Sequence, residues 1–205
     1  MKSAVIITAH GAEGFTDFIP IAADNYLITA DGGFDFALKL GVTPHVLVGD
    51  MDSITSAIPG GIEVIRLPVD KDDTDTHYCA KLALERGYNS ITIAGGMSGR
   101  FDHTLANLHT LAFLANNGAQ ACMIDRDACV HVCTARLELK LPIGCVLSLF
   151  AYGGEAQGVS ITGVKFPLEK ATLTPDFPLG ASNVTVLPNV CVSVGGGLLY
   201  VVIKK

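Results

Sequence analysis

The stretch Val48-Gly49-Asp50-Met51-Asp52-Ser53 ends a short apolar run, Val46–Val48, with two aspartates. An apolar run that stops at acidic residues is typical of a buried parallel strand that delivers carboxylates at its carboxyl end. In an open α/β sheet, ligands bind at that end. If the segment stays extended, Asp50 and Asp52 point to the same side, because side chains alternate along a strand. Two carboxylates on one side suit a divalent cation such as magnesium carrying nucleotide phosphates.

Two further acidic segments favour this metal interpretation. They are Lys71-Asp72-Asp73-Thr74-Asp75 and Gly99-Arg100-Phe101-Asp102-His103. Each lies where a strand-like segment gives way to a loop or a helix. The alternative is structural, since aspartates also start turns, cap helices and complement the helix dipole through their side-chain oxygens. Three acids within four residues exceed what a helix cap needs, and they would repel one another unless a cation lay among them.

The overall composition is that of a folded protein with a sizeable core. Of the 205 residues, 49% are hydrophobic and 17% are charged, which excludes a disordered chain. A net charge of −6 without a Lys/Arg run disfavours nucleic acid as a partner. No stretch approaches the roughly 20 apolar residues of a membrane span, and the first strand-like segment is too short for a signal peptide. We therefore expect a cytoplasmic protein with no membrane partner.

Strand-like and helix-like segments alternate through the first 128 residues. Predicted strands cover 4–8, 26–30, 46–48, 63–67, 90–94 and 119–124, and predicted helices cover 34–40, 76–86 and 102–116. This alternation predicts an α/β domain with a doubly wound, mainly parallel sheet.

Glycine-containing turns follow several of these predicted strands. Asp31-Gly32-Gly33 and Gly95–Arg100 each join a strand to a helix, where backbone amides can face an anion. Residues 10–14 carry two glycines that could also approach a phosphate. The Gly95–Arg100 turn has neither the Lys-Ser/Thr ending of a P-loop nor the G-x-G-x-x-G pattern, so a Rossmann dinucleotide site is disfavoured. Arg100 could bind a phosphate through two nitrogens, whereas Asp31 could simply cap a tight turn.

The pattern changes after about residue 128, where no amphipathic helix is evident. Short apolar stretches alternate there with Pro and Gly turns, and they cover 130–133, 145–151, 159–162, 184–187, 190–194 and 198–203. Gly195-Gly196-Gly197 separates the last two stretches and predicts a hairpin connection. We predict an α/β domain over residues 1–128 and a small all-β sandwich or barrel over residues 129–205.

Taken in order, these motifs resemble those of the thiamine pyrophosphokinase family over nearly the whole chain. The matching segments are Asp31-Gly32-Gly33 with A-D-G-G, Pro44–Ser53 with P-x-x-x-x-G-D-x-D-S, Lys71–Asp75 with K-D-x-T-D, Gly95–Asn107 with G-G-x-x-G-R-x-D-H-x-x-x-N, Thr162–Leu168 with G-x-K-(aromatic)-P-L, and Ser182-Asn183 with S-N. The chain departs from the family at Met51, where phenylalanine is usual. It also has no tryptophan to form the platform that holds the thiamine ring in some relatives.

The resemblance implies an ATP-dependent diphosphotransferase. The family moves the β,γ-pyrophosphoryl group of ATP to the hydroxyl of thiamine, which gives thiamine diphosphate and AMP. It also implies Mg²⁺ as cofactor and a homodimer, in which thiamine is held where the α/β domain meets the β module of the partner subunit. Residues 1–128 would then bind ATP and magnesium, and residues 129–205 would bind thiamine.

The resemblance also implies roles for individual residues, and these suit a reaction that needs charge neutralisation around phosphates. The expected metal ligands are Asp50, Asp52, Asp72 and Asp75. The expected catalytic residues are Asp50, Asp52, Asp75, Arg100 and Asp102. The residues expected to bind ATP are Asp31, Gly32, Gly33, Asp72, Thr74, Arg100 and His103, and those expected to contact thiamine are Ser182 and Asn183.

Three alternative functions stay open on the sequence. The acceptor could be another heteroaromatic alcohol such as a pterin, or it could be water in a magnesium-dependent nucleotide phosphohydrolase. The chain could also be a nucleotide- or thiamine-sensing module without turnover. The acidic segments argue against a sensor, because a pure sensor has no need for so much charge around phosphates.

Overall fold

The structure is a computed structural model that describes residues 1–9 and 24–205. The chain divides into two compact units, Met1–Arg126 and Asp127–Lys205. The glycine-containing turn expected at residues 10–14 lies outside the described residues.

Strands and helices alternate in the first unit. Its described strands are β1 Ser3–Ile7, β2 Tyr26–Ala30, β3 Val46–Gly49, β4 Glu63–Arg66, β5 Ser90–Ala94 and β6 Gln120–Ile124. Its described helices are α1 Gly33–Lys39, α2 Asp75–Glu85 and α3 Phe101–Asn116. Every strand and helix predicted for this region is present. None of the described helices is long and apolar enough to cross a membrane.

The six strands form one parallel sheet in the order β4-β3-β2-β1-β5-β6. The chain adds β2, β3 and β4 on one side of β1 and then returns to add β5 and β6 on the other side. This arrangement confirms the predicted doubly wound sheet. Ligands bind such sheets at the carboxyl edge, near the point where the strand order reverses.

Apolar strands make the core of this sheet. Ile6, Ile28, Leu47 and Ile93, from four different strands, are fully buried, as expected for parallel strands covered on both faces. Helix α1 begins directly against β1 at Gly33. A Cβ on Gly33 would lie 2.2 Å from the carbonyl oxygen of Ile7, so only glycine fits there. The close packing of α1 holds the turn between β2 and α1 at the carboxyl edge.

The second unit consists of strands without a helix, and the structure describes all of its residues. The strands are β7 Ala128–Cys133, β8 Arg136–Lys140, β9 Val146–Thr162, β10 Leu168–Leu173, β11 Gly180–Val184, β12 Asn189–Ser193 and β13 Gly196–Lys204. All pairings among them are antiparallel. The predicted all-β module is therefore confirmed.

Strand β9 organises this module. Its first half pairs with β11 and β13, and its second half pairs with β10 and β12. Strand β13 continues to β7, and β12 continues to β8. A long strand that changes partners along its length passes from one sheet to another, as in small sandwiches and barrels.

Four details of the second unit differ from the sequence-based expectation. The stretch 184–187, predicted as a strand, overlaps β11 only at Val184. The stretches 145–151 and 159–162 are parts of the single strand β9, and strands β8 and β10 were not predicted. Both missed strands are half-exposed and rich in charge, so their hydrophobic signal is weak. Gly195-Gly196-Gly197 is not a hairpin, because β12 and β13 each pair with β9 rather than with each other. A Cβ on Gly197 would lie 2.3 Å from the carbonyl oxygen of Glu155, so this segment packs closely on β9.

Candidate active site

A cleft of about 750 Å³ lies in the first unit, at the carboxyl edge of the parallel sheet. The end of β1, the turns after β2 and β3, the start of α2 and the loop between β5 and α3 contribute to its walls. Six of the residues predicted to act in the site line this cleft: Asp31, Gly32, Thr74, Asp75, Arg100 and His103.

Three carboxylates converge at this edge of the sheet. Asp31, Asp50 and Asp52 each offer a ligand oxygen, and these oxygens lie within 4.8 Å of one another. Asp31 follows β2, whereas the other two follow β3, which is the neighbouring parallel strand. Oxygen ligands so close together suit a hard divalent cation. The cluster thus joins two predicted metal ligands to Asp31, which the motif had associated with ATP.

The segment after β3 is a turn, so the condition that it stays extended, on which the same-side argument depended, is not met. Met51 has a φ of 74°, which is rare for a residue with a side chain. The backbone N–H of Asp52 donates to Asp50 Oδ1 at 3.1 Å, and the Ser53 hydroxyl donates to Asp52 Oδ1 at 2.8 Å. The turn folds the chain back on itself. The two carboxylates therefore come together through the turn rather than through strand alternation.

Gly49 allows the two acidic turns to approach each other. A Cβ on Gly49 would lie 3.0 Å from the Cβ of Asp31, and its φ of 153° favours glycine. The backbone N–H of Asp31 donates to the carbonyl of Val48 at 2.7 Å. The glycine before the first aspartate is therefore part of what brings the carboxylates together.

Asp75, the first residue of α2, lies near the same cluster. Burial raises the pKa of Asp75, more than Lys71 lowers it, and the charges of Asp31 and Asp50 raise this pKa further. Lys71 Nζ lies 3.1 Å from Asp75 Oδ1 as an ion pair. The Oδ1 atom of Asp31 is buried and has no hydrogen-bond partner. Buried oxygens of this kind are costly unless a cation or a donor satisfies them, so a metal ion fits here.

The other two acids of the Lys71–Asp75 segment, Asp72 and Asp73, lie outside the three-carboxylate cluster. Asp73 forms an ion pair with Lys81, and this contact lowers the pKa of Asp73. Asp72 is exposed and does not belong to the three-carboxylate cluster. It also precedes α2, so it does not share a helical face with Asp75. Two lysines of the chain therefore relieve part of the expected repulsion, and the role of Asp72 stays a prediction.

Thr74 caps helix α2. Its hydroxyl accepts a hydrogen bond from the backbone N–H of His77 at 3.1 Å. This is the ordinary use of a threonine before a helix. Gly33 likewise has a packing explanation in its contact with β1. The predicted contacts of both residues with ATP stay predictions.

The glycine-rich loop between β5 and α3 is held from two sides. Buried Asp125, just after β6, accepts hydrogen bonds from the backbone N–H of Met97 at 2.8 Å and from the Ser98 hydroxyl at 3.1 Å. The side-chain amide of Asn107 donates to the carbonyl of Gly96 at 3.0 Å. A Cβ on Gly96 would lie 2.5 Å from that amide nitrogen. The loop is therefore ordered by internal contacts before any ligand binds.

Arg100 and Asp102 form an exposed ion pair beside this loop. Two guanidinium nitrogens contact the carboxylate at 3.1 and 2.5 Å. The pairing raises the pKa of Arg100 and lowers that of Asp102. The backbone N–H of His103 also donates to Asp102, at 3.0 Å. Exposed ion pairs are weak, so the guanidinium can exchange its carboxylate for another anion in the cleft. Asp102 is not part of the three-carboxylate cluster.

Ser182 and Asn183 lie in strand β11 of the second unit. The Asn183 side chain is buried; its amide nitrogen donates to the carbonyl of Phe166 at 2.7 Å. Its Oδ1 accepts from the backbone N–H groups of Phe166 and Val184, each at 3.0 Å. Ser182 is exposed, has a φ of 58° and donates its backbone N–H to the hydroxyl of Ser148. Asn183 thus uses both ends of its amide to hold the segment around Phe166.

Comparison with known proteins identifies the family. Residues 21–123 match the model of the thiamin pyrophosphokinase catalytic domain, and residues 134–199 match the model of its vitamin B1 binding domain. The chain belongs to the thiamin pyrophosphokinase family. The resemblance recognised in the sequence motifs is confirmed by these matches.

Relatives within the thiamin pyrophosphokinase family are distant in sequence and close in fold. Thiamin pyrophosphokinase 1 of Caenorhabditis elegans is 26% identical over 189 residues, which is 85% of this chain and 77% of the relative. Thiamine pyrophosphokinase of Bacillus subtilis is 25% identical over 182 residues, which is 85% of each chain. The crystal structure of a thiamine pyrophosphokinase from Bacillus subtilis gives a TM-score of 0.89 at 22% identity, over 100% of this chain and 99% of that one. The thiamin pyrophosphokinase from Candida albicans gives 0.78 at 13% identity, over 99% and 89%.

The family motifs do not mark every aspartate that shapes the cleft. Asp125 orders the glycine-rich loop, and Asp35 on α1 accepts hydrogen bonds from the chain after Asp52. The only signal for Asp125 is an acid directly after an apolar strand-like run. Asp35 resembles any acid in the first turn of a helix.

Proposed function

We propose that the chain transfers the pyrophosphoryl group of ATP to the hydroxyl of thiamine. The thiamine oxygen attacks the β-phosphorus of ATP, and the bond from this phosphorus to the oxygen bridging the α- and β-phosphates breaks. The products are thiamine diphosphate and AMP, and the hydroxyl proton is released. The observation that carries the proposal is the group of three carboxylates, Asp31, Asp50 and Asp52, in a chain with both family domains, and Asp31 of this group lines the cleft.

We propose that Asp31, Asp50, Asp52 and Asp75 hold Mg²⁺. The short separation of three of these carboxylates and the unpartnered buried Oδ1 of Asp31 support this set, and the charges of Asp31 and Asp50, which raise the pKa of Asp75, indicate that Asp75 lies nearby. When bound, the metal supplies positive charge to the phosphates on either side of the bond that breaks. Asp72 was also predicted as a ligand, but it belongs neither to the three-carboxylate cluster nor to the walls of the cleft, so that assignment has less support than the other four.

The loop between β5 and α3 would bind the phosphates of ATP. Asp125 and Asn107 keep this loop in place, so it loses little conformational freedom when a ligand arrives. Arg100 lies beside the loop and lines the cleft. We propose that its guanidinium leaves Asp102 and binds phosphate oxygens through two nitrogens. Asp102 holds Arg100 beside the cleft until ATP arrives, and His103 adds a polar group to the same wall.

We propose that the second unit contributes the thiamine contacts, because it carries the vitamin B1 binding domain. Phe166 is 60% exposed, and Asn183 holds its backbone at both the N–H and the carbonyl. Its ring offers a flat apolar surface for a heteroaromatic ring in a chain that has no tryptophan. Ser182, which is exposed on the same strand as Asn183, is available for a direct contact.

We also propose that the protein works as a homodimer in the cytoplasm, as the family resemblance implies. Sedimentation velocity of the purified protein should give about twice the mass of one chain, and fractionation of cells should place it with cytoplasmic enzymes. A monomer with full activity would contradict the first part of this proposal.

The deciding experiment identifies both products of the reaction, the nucleotide and the pyrophosphorylated acceptor. Purified protein is incubated with ATP, Mg²⁺ and thiamine, after which AMP and ADP are separated by chromatography and thiamine diphosphate is assayed in the same sample. We expect AMP and thiamine diphosphate in equal amounts. A parallel reaction with a pterin alcohol in place of thiamine tests the alternative acceptor.

The other results would each favour a different function. AMP without thiamine diphosphate would indicate another acceptor or water. ADP would indicate transfer of a single phosphoryl group and would contradict the proposal. Absence of turnover, together with tight binding of nucleotide or thiamine, would favour the sensing module.

A further inference from the structure

Asp35 on helix α1 is bound to the loop that carries the metal-binding aspartates. Its carboxylate accepts hydrogen bonds from the backbone N–H of Thr55 at 2.8 Å and of Ser56 at 2.9 Å. The Thr55 hydroxyl donates to the same carboxylate. These contacts, above all that with the hydroxyl, hold the pKa of Asp35 well below its usual range. Hydrogen bonds to an ionised acceptor are about twice as strong as neutral ones, so this is a firm attachment.

The loop that Asp35 holds has little regular structure of its own. No helix or strand lies between Gly49 and Glu63, and the structure describes all of these residues. Most side chains of this segment are exposed or half-buried. Without contacts to neighbouring elements, such a loop would sample many conformations. The hydrogen bonds that Thr55 and Ser56 donate to Asp35 attach the loop three and four residues after Asp52.

Helix α1 is a rigid base for this attachment. Phe34, next to Asp35, is fully buried, and Gly33 contacts β1 too closely to admit a side chain. The same helix directly follows the turn that carries Asp31. Asp35 therefore connects the two acidic turns. Helix α1 follows the turn that carries Asp31, and Asp35 in the first turn of this helix binds the loop that follows Asp52.

We propose that Asp35 is a positioning residue that sets the separation between the Asp31 carboxylate and the Asp50 and Asp52 carboxylates, and so the affinity of the site for divalent metal. This inference rests on the metal site of the proposed function. Asp35 contacts neither substrate nor metal in this role. Its effect passes through Thr55 and Ser56 to the turn that precedes them.

The test is direct binding of Mn²⁺, used in place of Mg²⁺ because free Mn²⁺ can be counted by electron paramagnetic resonance without turnover. Residues that orient metal ligands change metal affinity by about 10- to 100-fold when they are lost. We therefore expect Asp35→Ala to raise the Kd for Mn²⁺ by about tenfold. Asp35→Asn keeps one acceptor oxygen and should fall between Asp35→Ala and the unchanged protein.

A matched control separates positioning from simple stabilisation. Glu63 accepts two hydrogen bonds from Arg86, at 2.9 and 2.6 Å, at the opposite edge of the same sheet. Glu63→Gln should lower the Tm much as Asp35→Ala does and leave the Kd for Mn²⁺ unchanged. If Asp35→Ala does not fold, Thr55→Val removes only the hydroxyl donor, and a weakened affinity is again expected.

Each result of this test bears on the inference. An unchanged Kd in Asp35→Ala, or in Thr55→Val where the first variant is unfolded, would overturn it even if the Tm falls. Absence of Mn²⁺ binding by the unchanged protein would overturn it as well. Mn²⁺ binding that depends on Asp35 in a protein that makes no thiamine diphosphate would support the inference while contradicting the proposed function.

Discussion

The acidic cleft of the first unit and the β11 segment of the second unit use their motif residues in different ways. In the cleft, the motif aspartates lie in turns after parallel strands, and neighbouring strands bring Asp31, Asp50 and Asp52 together. In the β11 segment, Asn183 lies inside a strand, and its amide is engaged with Phe166. The motif aspartates in these turns bring their carboxylates together, whereas the motif residue Asn183, inside a strand, holds its neighbour Phe166.

The physical reason lies in the direction of the strands. Parallel strands bring all their carboxyl ends to one edge of the sheet. Acids that directly follow neighbouring strands therefore lie close together at that edge. Antiparallel strands send their carboxyl ends to both edges, so residues that follow neighbouring strands do not collect at one edge. The following predictions test whether the two units differ in this way.

Loss of a cluster carboxylate should give the largest effect. Asp52→Asn keeps the size of the side chain and removes its charge, so turnover should fall by at least about a hundredfold. The fold should survive, because Asp52 is exposed and contacts the chain only within its own turn. The measurements are kcat for thiamine diphosphate formation and the Tm. Full activity in this variant would refute the metal assignment.

Loss of the cleft arginine should give the next effect. Arg100→Ala removes a proposed two-nitrogen contact with phosphate and should lower kcat/KM for ATP by about tenfold or more. Arg136→Ala is a matched control in the second unit, because Arg136 is equally exposed and pairs with Glu138 two residues away, as Arg100 does with Asp102. Steady-state kinetics with varied ATP compares them. Equal losses in both variants would show that the effect is not specific to the cleft.

Loss of the buried asparagine should affect stability and thiamine binding together. Asn183→Ala leaves the N–H and the carbonyl of Phe166 without partners, which should cost about 1–3 kcal/mol in the free energy of unfolding. The KM for thiamine should rise several-fold, while the Kd for Mn²⁺ should not change. Urea unfolding and kinetics with varied thiamine measure the two effects. A raised KM without lost stability would mean that Asn183 contacts thiamine directly.

The smallest effect is expected at Asp72. Asp72→Asn changes an exposed side chain outside the three-carboxylate cluster, and such changes usually alter stability by less than about 0.5 kcal/mol. We expect kcat and the Kd for Mn²⁺ to change by less than about twofold. A loss comparable with that of Asp52→Asn would return Asp72 to the metal site.

Local patterns in the sequence were enough for the framework of the first unit. Apolar runs such as Val46–Val48 are local signals, and the strands and helices of this unit appear where they were predicted. Strands β8 and β10 were missed because they are half-exposed and charged, so their hydrophobic alternation is weak. The triple glycine was misread because a glycine-rich connection resembles a hairpin whether or not its strands pair.

The sequence by itself determined the family, the order of strands and helices in the first unit, and the choice of Asp31, Asp50 and Asp52 as site residues, since these depend on local residue patterns. Only the tertiary structure decided which carboxylates lie close enough together to bind one metal ion. The grouping of the carboxylates depends on the left-handed turn at Met51 and on the close approach of Gly49 to Asp31. It also depends on two ion pairs, in which Lys81 binds Asp73 and Lys71 binds Asp75. The roles of Asp35 and Asp125 were decided in the same way. Their hydrogen bonds cross between distant parts of the chain, and no local pattern specifies which carboxylate meets which loop.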